Sequence, residues 1–279
     1  MIDLRPIADG VFVARTVPLD VNVTLVLGDD SALVIDTLST ETQAAALHGA
    51  VRKVTQLPLI VLLTHFHFDH CLGASVLAGG GRPVWGHPYT ANELTERGQH
   101  WQSRWHREWL SAEPELAAGL AAARIQPPDH LVRGTETLDL GGRMVTVSHP
   151  GRAHTGGDLV AYLPDVDVLV AGDIVEEGNP PDFTDSYPME WPAAVGRVLD
   201  AMTTSTVVIP GHGATVDRDF VVAQQKQLAA LDWLIREGHR DEAAAETVAA
   251  RGPFPIETCR VAVGRGFAAL EGGVSDGAA

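Results

Sequence analysis

Thr64-His65-Phe66-His67-Phe68-Asp69-His70 puts three histidines and a carboxylate within six residues. Imidazole and carboxylate are the ligand types of a borderline divalent metal such as zinc. The run follows an apolar stretch, residues 58–63, which reads as a buried strand ending at Thr64. In an extended segment His65, His67 and Asp69 share one side, while the adjacent Asp69 and His70 point apart. A turning loop there could serve two neighbouring metals. A solvated His-rich loop explains poorly why four ligand-type groups gather at one strand end.

Three later pieces carry further ligand types. Gly151-Arg152-Ala153-His154-Thr155-Gly156-Gly157-Asp158 follows a strand at 143–148, Ala171-Gly172-Asp173 ends a strand at 166–171, and Pro210-Gly211-His212-Gly213 ends a strand at 206–209. Each sets a His or Asp in a glycine-flanked turn, where the backbone can approach a metal closely. Singly each is a common solvated turn; together they supply a second set of ligands on the same edge.

The elements that must position these groups follow from periodicity. Residues 11–17, 21–28 and 31–36 read as strands, the last two joined by the turn Gly28-Asp29-Asp30. Residues 40–54 change to helical spacing through Ala44, Leu47 and Val51. A short helix at 72–77 stops at Gly79-Gly80-Gly81, and 82–86 is another strand. Residues 88–125 are helical, broken into two helices at Pro114 and closed by Pro127-Pro128. Strands return at 136–140, 143–148, 159–163 and 166–171, then a helix at 192–202 and the strand 206–209. Helices at 220–236, 241–250 and 256–270 follow, with 272–279 as a frayed tail. The strand-and-helix order occurs twice, without a Pro/Ser-rich linker. That predicts one domain over 1–279, with a helical insertion at about 88–126 and a C-terminal helical extension at about 219–271.

The T-H-x-H-x-D-H segment, the later H-T-x-G-D, A-G-D and P-G-H-G, in this order, resemble the metallo-β-lactamase superfamily over residues 11–214. The resemblance implies an α+β fold, an αββα sandwich of two mixed sheets with outer helices and a metal site at one edge. It implies that His65, His67 and His154 hold one metal, that Asp69, His70 and His212 hold a second, and that Asp173 bridges them. Asp36 matches the family's supporting acidic position, a carboxylate behind the ligands; its plain reading is a strand-ending turn residue. The implied cofactor is two zinc ions per chain, with iron or manganese as alternatives. Asp173 and the Asp69-His70 pair look like the dinuclear hydrolase branches, such as hydroxyacylglutathione hydrolases and lactonases. Many true β-lactamases of the family carry Cys or Ser at the third motif. The implied activity is hydrolysis of an ester, thioester, lactone or amide of a small molecule by a metal-bridging hydroxide, with Asp69 orienting the water and shuttling its proton. The alternatives are a mononuclear iron persulfide dioxygenase of the same fold and a metal-binding protein without turnover.

Other residues have two readings each. Trp101, Trp105 and Trp109 recur every four residues and line one helix face, either as core or subunit contact or as an apolar lid over the metals. Tyr187 and Trp191 follow Asp173 in a loop that could wall the pocket or simply cross the surface. His87 and His149 end strands, as supporting residues behind the ligands or as structural histidines, and Cys71 reads as packing.

Composition bounds the rest. The 279 residues are 45% hydrophobic, ample for a core. With 20 Lys and Arg against 36 Asp and Glu, the net charge of −16 disfavours nucleic acid as a partner. The longest apolar run, residues 57–63, is too short to span a membrane. Two cysteines, Cys71 and Cys259, and an opening stretch without an apolar signal core lead to the expectation of a cytoplasmic protein. The partner expected is a small-molecule substrate, with a homo-oligomer left open.

Overall fold

The computed structural model describes residues 2–79 and 81–272. Strands β1 (Arg5–Ala8), β2 (Val11–Thr16), β3 (Val21–Leu27) and β4 (Ala32–Ile35) form an antiparallel meander. Helix α1 (Glu41–Val54) returns the chain to β5 (Leu59–Leu62), parallel to β4. Thr40 caps α1 by accepting from the Gln43 amide, and its buried face is Ala44, Leu47, Ala50 and Val51. Two single turns, α2 (Phe68–Cys71) and α3 (Ala74–Leu77), precede β6 (Val84–Gly86). Helices α4 (Pro88–Glu96), α5 (Gly98–Trp109) and α6 (Pro114–Ala122) lead to β7 (His130–Leu131), the last strand of a seven-stranded mixed sheet.

The second half repeats the plan. β8 (Thr135–Asp139), β9 (Met144–Ser148), β10 (Val160–Leu163) and β11 (Val168–Gly172) run antiparallel. After α7 (Trp191–Asp200), β12 (Val207–Pro210) joins parallel to β11 and completes a five-stranded sheet. Helices α8 (Arg218–Arg240), α9 (Ala245–Ala249) and α10 (Ile256–Leu270) cover it.

Three apolar cores separate the layers. Leu33, Ile35, Leu62, Val145, Val147 and Ile209 fill the space between the sheets. Leu47, Val51 and Leu120 pack helices on the first sheet, and Val195, Leu228 and Val263 pack helices on the second. β4 and β11 are buried along their whole length, which explains their unbroken apolar sequences. The architecture is the expected αββα sandwich of two mixed sheets.

The site lies where parallel strands end, the usual ligand edge of such sheets. Asp36 follows β4 with φ of 66°, a left-handed conformation that Asp tolerates better than most residues. Asp173 follows β11, and His212 follows β12. Gly211 has no side chain for a physical reason: a Cβ there would fall 1.7 Å from Asp173 Oδ1. Asn22, buried at the start of β3, stitches the sheets together. Its Nδ2 donates to the carbonyls of Pro210 and Gly213, both at 2.9 Å, and its amide donates to Gly211 O at 2.7 Å.

Several boundaries differ from those expected. The inserted segment forms three helices, because the chain breaks at Arg97 (φ −123°, ψ 3°) as well as before Pro114. β1 and β7 were not anticipated; both are short edge strands with weak alternation. Residues 68–71 form a helical turn rather than a loop, α8 is longer than expected and α9 shorter. The tail expected at 272–279 lies, from 273 on, outside the described residues. Among the described residues no helix is long and apolar enough to cross a membrane.

Asn22→Ala leaves two buried carbonyls without their side-chain donor. We expect it to destabilise the fold by about 1–3 kcal/mol, read as a lower urea midpoint. An unchanged midpoint would show that this residue does not hold the His212 turn.

Candidate metal centre

All seven expected ligand residues meet in one place. His65, His67, His154 and Asp173 form one group and Asp69, His70 and His212 another, each with its ligand-type atoms within 4.8 Å of one another. In the first, His154 Nε2 lies 2.8 Å from His67 Nδ1, and Asp173 Oδ2 lies 3.4 Å from His154 Nε2 and 3.6 Å from His65 Nε2. In the second, His70 Nε2 is 3.3 Å from His212 Nε2, and Asp69 Oδ2 is 3.3 Å from His212 Nε2. Asp173 touches this group as well, with Oδ1 3.3 Å from His70 Nε2 and Oδ2 3.4 Å from His212 Nε2. One expectation is corrected. Asp69 does not point away from His70. The chain turns into α2 after His67, so Asp69 and His70 converge, with Oδ2 and Nε2 3.6 Å apart.

The outer nitrogens of four of the five rings are each fixed by a separate partner. His70 Nδ1 donates to Asp36 Oδ2 at 2.8 Å, and His212 Nδ1 donates to the Leu19 carbonyl at 2.8 Å. His67 Nε2 donates to Asp185 at 3.0 and 3.2 Å. Thr64 gives its one hydroxyl proton to Asp36, so it accepts from His65 Nδ1 at 3.0 Å. His154 Nδ1 faces Glu176 Oε1 at 3.6 Å. Donation outward leaves the inner nitrogens as lone pairs aimed at one another, the tautomers that metal coordination requires. Asp36 therefore does support the cluster: besides His70, it accepts from the Thr64 amide at 2.8 Å.

The electrostatics call for positive charge at the centre. His65 Nε2 and Asp173 Oδ1 are buried without a hydrogen-bond partner. Burial opposes charge on His70, yet Asp173, Asp69 and Asp36 outweigh it and hold the imidazole well above its ordinary range. Burial likewise opposes an ionised Asp173, yet His70, His212 and His65 hold its carboxyl well below the ordinary range. His65 and His154 are pushed down, above all by burial. Such a cluster needs either trapped protons or cations, and its imidazole and carboxylate donors fit a pair of divalent cations.

A cleft of about 490 Å³ opens onto the cluster. Phe68, Trp101, Trp105 and Trp109 line it from the first half of the chain, and Glu176, Asn179, Asp182 and Asp185 from the second. The tryptophan stripe is both core and wall. Trp101 and Trp105 are each 5% exposed and pack on Phe66 and Phe68 at ring distances of 5.2 and 5.6 Å, yet both reach the cleft. Tyr187 and Trp191 do not wall it. Trp191 is fully buried and donates to Ile174 O at 3.0 Å, and the Tyr187 ring lies against Arg152. His87 and His149 stack on each other at 4.2 Å, outside both ligand groups. Cys71 is buried and donates to Phe66 O, as packing. Sequence reasoning missed Asp185, Glu176, Thr64 and Asn22; only the acidic, Pro-rich character of the loop after Asp173 hinted at the first two.

The metallo-beta-lactamase superfamily model matches residues 16–229. The probable metallo-hydrolase YqgX of Bacillus subtilis is 25% identical over 216 residues, covering 75% of this chain and 92% of that protein. The metallo-beta-lactamase type 2 of Bacillus cereus is 26% identical over 165 residues, 58% of this chain and 54% of that one. The acyl-coenzyme A thioesterase MBLAC2 of Gallus gallus is 27% identical over 205 residues, 68% and 72% of the two chains. The metallo-beta-lactamase from Pontibacter korlensis shares the fold, with a TM-score of 0.67 and 20% identity over 82% of this chain and 99% of its own. With well over half its length matched by the family model, the chain belongs to the metallo-beta-lactamase superfamily and is one of its metallo-hydrolases.

Proposed function

We propose that the protein hydrolyses an ester, thioester, lactone or amide of a small molecule with two divalent cations, zinc foremost. The observation that carries this reading is Asp173, whose carboxylate lies within 3.6 Å of histidines from both groups. His65, His67 and His154 would hold one cation, Asp69, His70 and His212 the other, with Asp173 shared between them. When bound, such a pair would lower the pKa of a shared water towards neutrality and polarise a substrate carbonyl.

The chain's own residues do the rest. Asp69 lines the cleft beside His212, where its carboxylate can orient the attacking water and take its proton. Trp105 and Trp109 give an apolar surface that seats the substrate and thins the water around the carbonyl. An Asp at 173 and the Asp69-His70 pair support a dinuclear hydrolase branch like the hydroxyacylglutathione hydrolases and lactonases. The thioesterase named among the relatives supports a thioester among the substrates.

Protein purified without added metal should carry close to two divalent ions per chain by elemental analysis. One iron alone would favour the dioxygenase reading, and no metal would contradict the site. Asp173→Ala should lose metal and lower kcat by at least about 100-fold, the scale of a lost ligand or electrostatic stabiliser. Full metal content and near-normal turnover in that variant would refute the shared role. Asp36→Ala frees the His70 ring directly and reaches the first group only at one remove, through Thr64 and His65. Chelator competition should show about 10–100-fold weaker binding of one ion and little change for the other. Equal weakening of both would mean that Asp36 acts on the fold rather than on His70.

A further inference from the structure

The cleft's charge is one-sided. Outside the seven ligand residues, its charged lining consists of Arg104, Glu108, Glu176, Asp182 and Asp185. Arg104 is already engaged: its Nε donates to Glu108 Oε1 at 2.7 Å, and its guanidinium lies 5.4 Å from the Trp101 ring centre. Among the described residues no other Lys or Arg lines the cleft, so away from the metal pair proposed above an anionic substrate group finds no free cationic side chain. Asp185 is tied to His67, whereas Asp182 is exposed at the cleft and accepts from the Thr184 amide and hydroxyl, at 2.9 and 2.6 Å. Glu176 is buried to more than nine-tenths, lines the same cleft, and its Oε1 has no hydrogen-bond partner.

Aromatic rings line the same cleft. Phe68 packs 5.6 Å from Trp105 and 6.0 Å from Trp109, and Trp109 is only partly buried. Ring faces attract cations, and Arg104 over Trp101 shows this wall already holding one. The chain as a whole carries −16, a field that draws cations in and slows anions.

We propose that the cleft selects substrates bearing a cationic nitrogen on an apolar body beside the scissile bond, the ammonium lying between the aromatic wall and Asp182. This rests on the hydrolase reading above and narrows it.

The test uses the full-length, metal-loaded protein and two esters of one arylacetic acid: the choline ester and its neutral isostere, the 3,3-dimethylbutyl ester. At low salt the choline ester should show kcat/KM about tenfold higher, the scale of a cation held by aromatic faces and one carboxylate. Added salt and Asp182→Asn should each shrink that ratio. A ratio of one or below in the native protein overturns the proposal. If neither ester is cleaved, the hydrolase reading suffers, and calorimetric titration with phenyltrimethylammonium decides the cation question separately. Saturable binding weakened severalfold by Asp182→Asn supports it; no saturable binding, or equal binding by the variant, overturns it.

Discussion

The Asp173 carboxylate, buried where the two sheets meet, is the constraint around which the rest of the site is arranged. Removing a carboxylate from water is costly unless positive charge comes with it. Here four imidazoles come within 3.6 Å of its oxygens, from the ends of two strands, the turn α2 and the loop after β9. Small residues make the approach feasible. Gly211 leaves the space that a Cβ would take from Asp173 Oδ1, and Gly172, at φ of 53°, turns the chain into the site. The sheets then have to register at this edge, and Asn22 does this with three hydrogen bonds across the seam. The αββα architecture is thus tied to the site: each half contributes ligands, and neither half completes a group of cations' partners alone.

Orientation is secured by a ring of outer partners that is as specific as the inner one. Asp36, Thr64, Asp185 and the Leu19 carbonyl each fix one ring nitrogen, so the opposite nitrogen has one place to point. The left-handed Asp36 backbone is the local cost of aiming one carboxylate at both Thr64 and His70. Asp185 links this ring to the cleft. The loop that steadies His67 also carries Asp182, so metal-side geometry and the proposed cation selectivity share one segment.

What was legible in sequence was local. His65 to His70 are contiguous, and His154, Asp173 and His212 sit in glycine-flanked turns at predictable strand ends. Strand alternation and buried apolar runs fixed most element boundaries within a few residues. The convergence of Asp69 with His70 was not legible, because the alternation argument assumes an extended chain and residues 68–71 form a helical turn. Nor were Asp185 and Asn22, whose contacts reach across 118 and 188 residues and leave no local pattern. The tryptophan stripe defied an either-or reading because a large ring can bury one face in the core and show an edge to a cleft. Trp191 was misplaced for the opposite reason: in a loop it looked available, but its indole N–H had a buried carbonyl to satisfy.

The central claim is that two cations share Asp173. Anomalous diffraction at the zinc edge, from crystals of protein purified without added metal, tests it most directly. The account predicts two peaks about 3.5–4 Å apart, one within each histidine group and Asp173 between them. A single peak, or peaks that leave either group unoccupied, would contradict it.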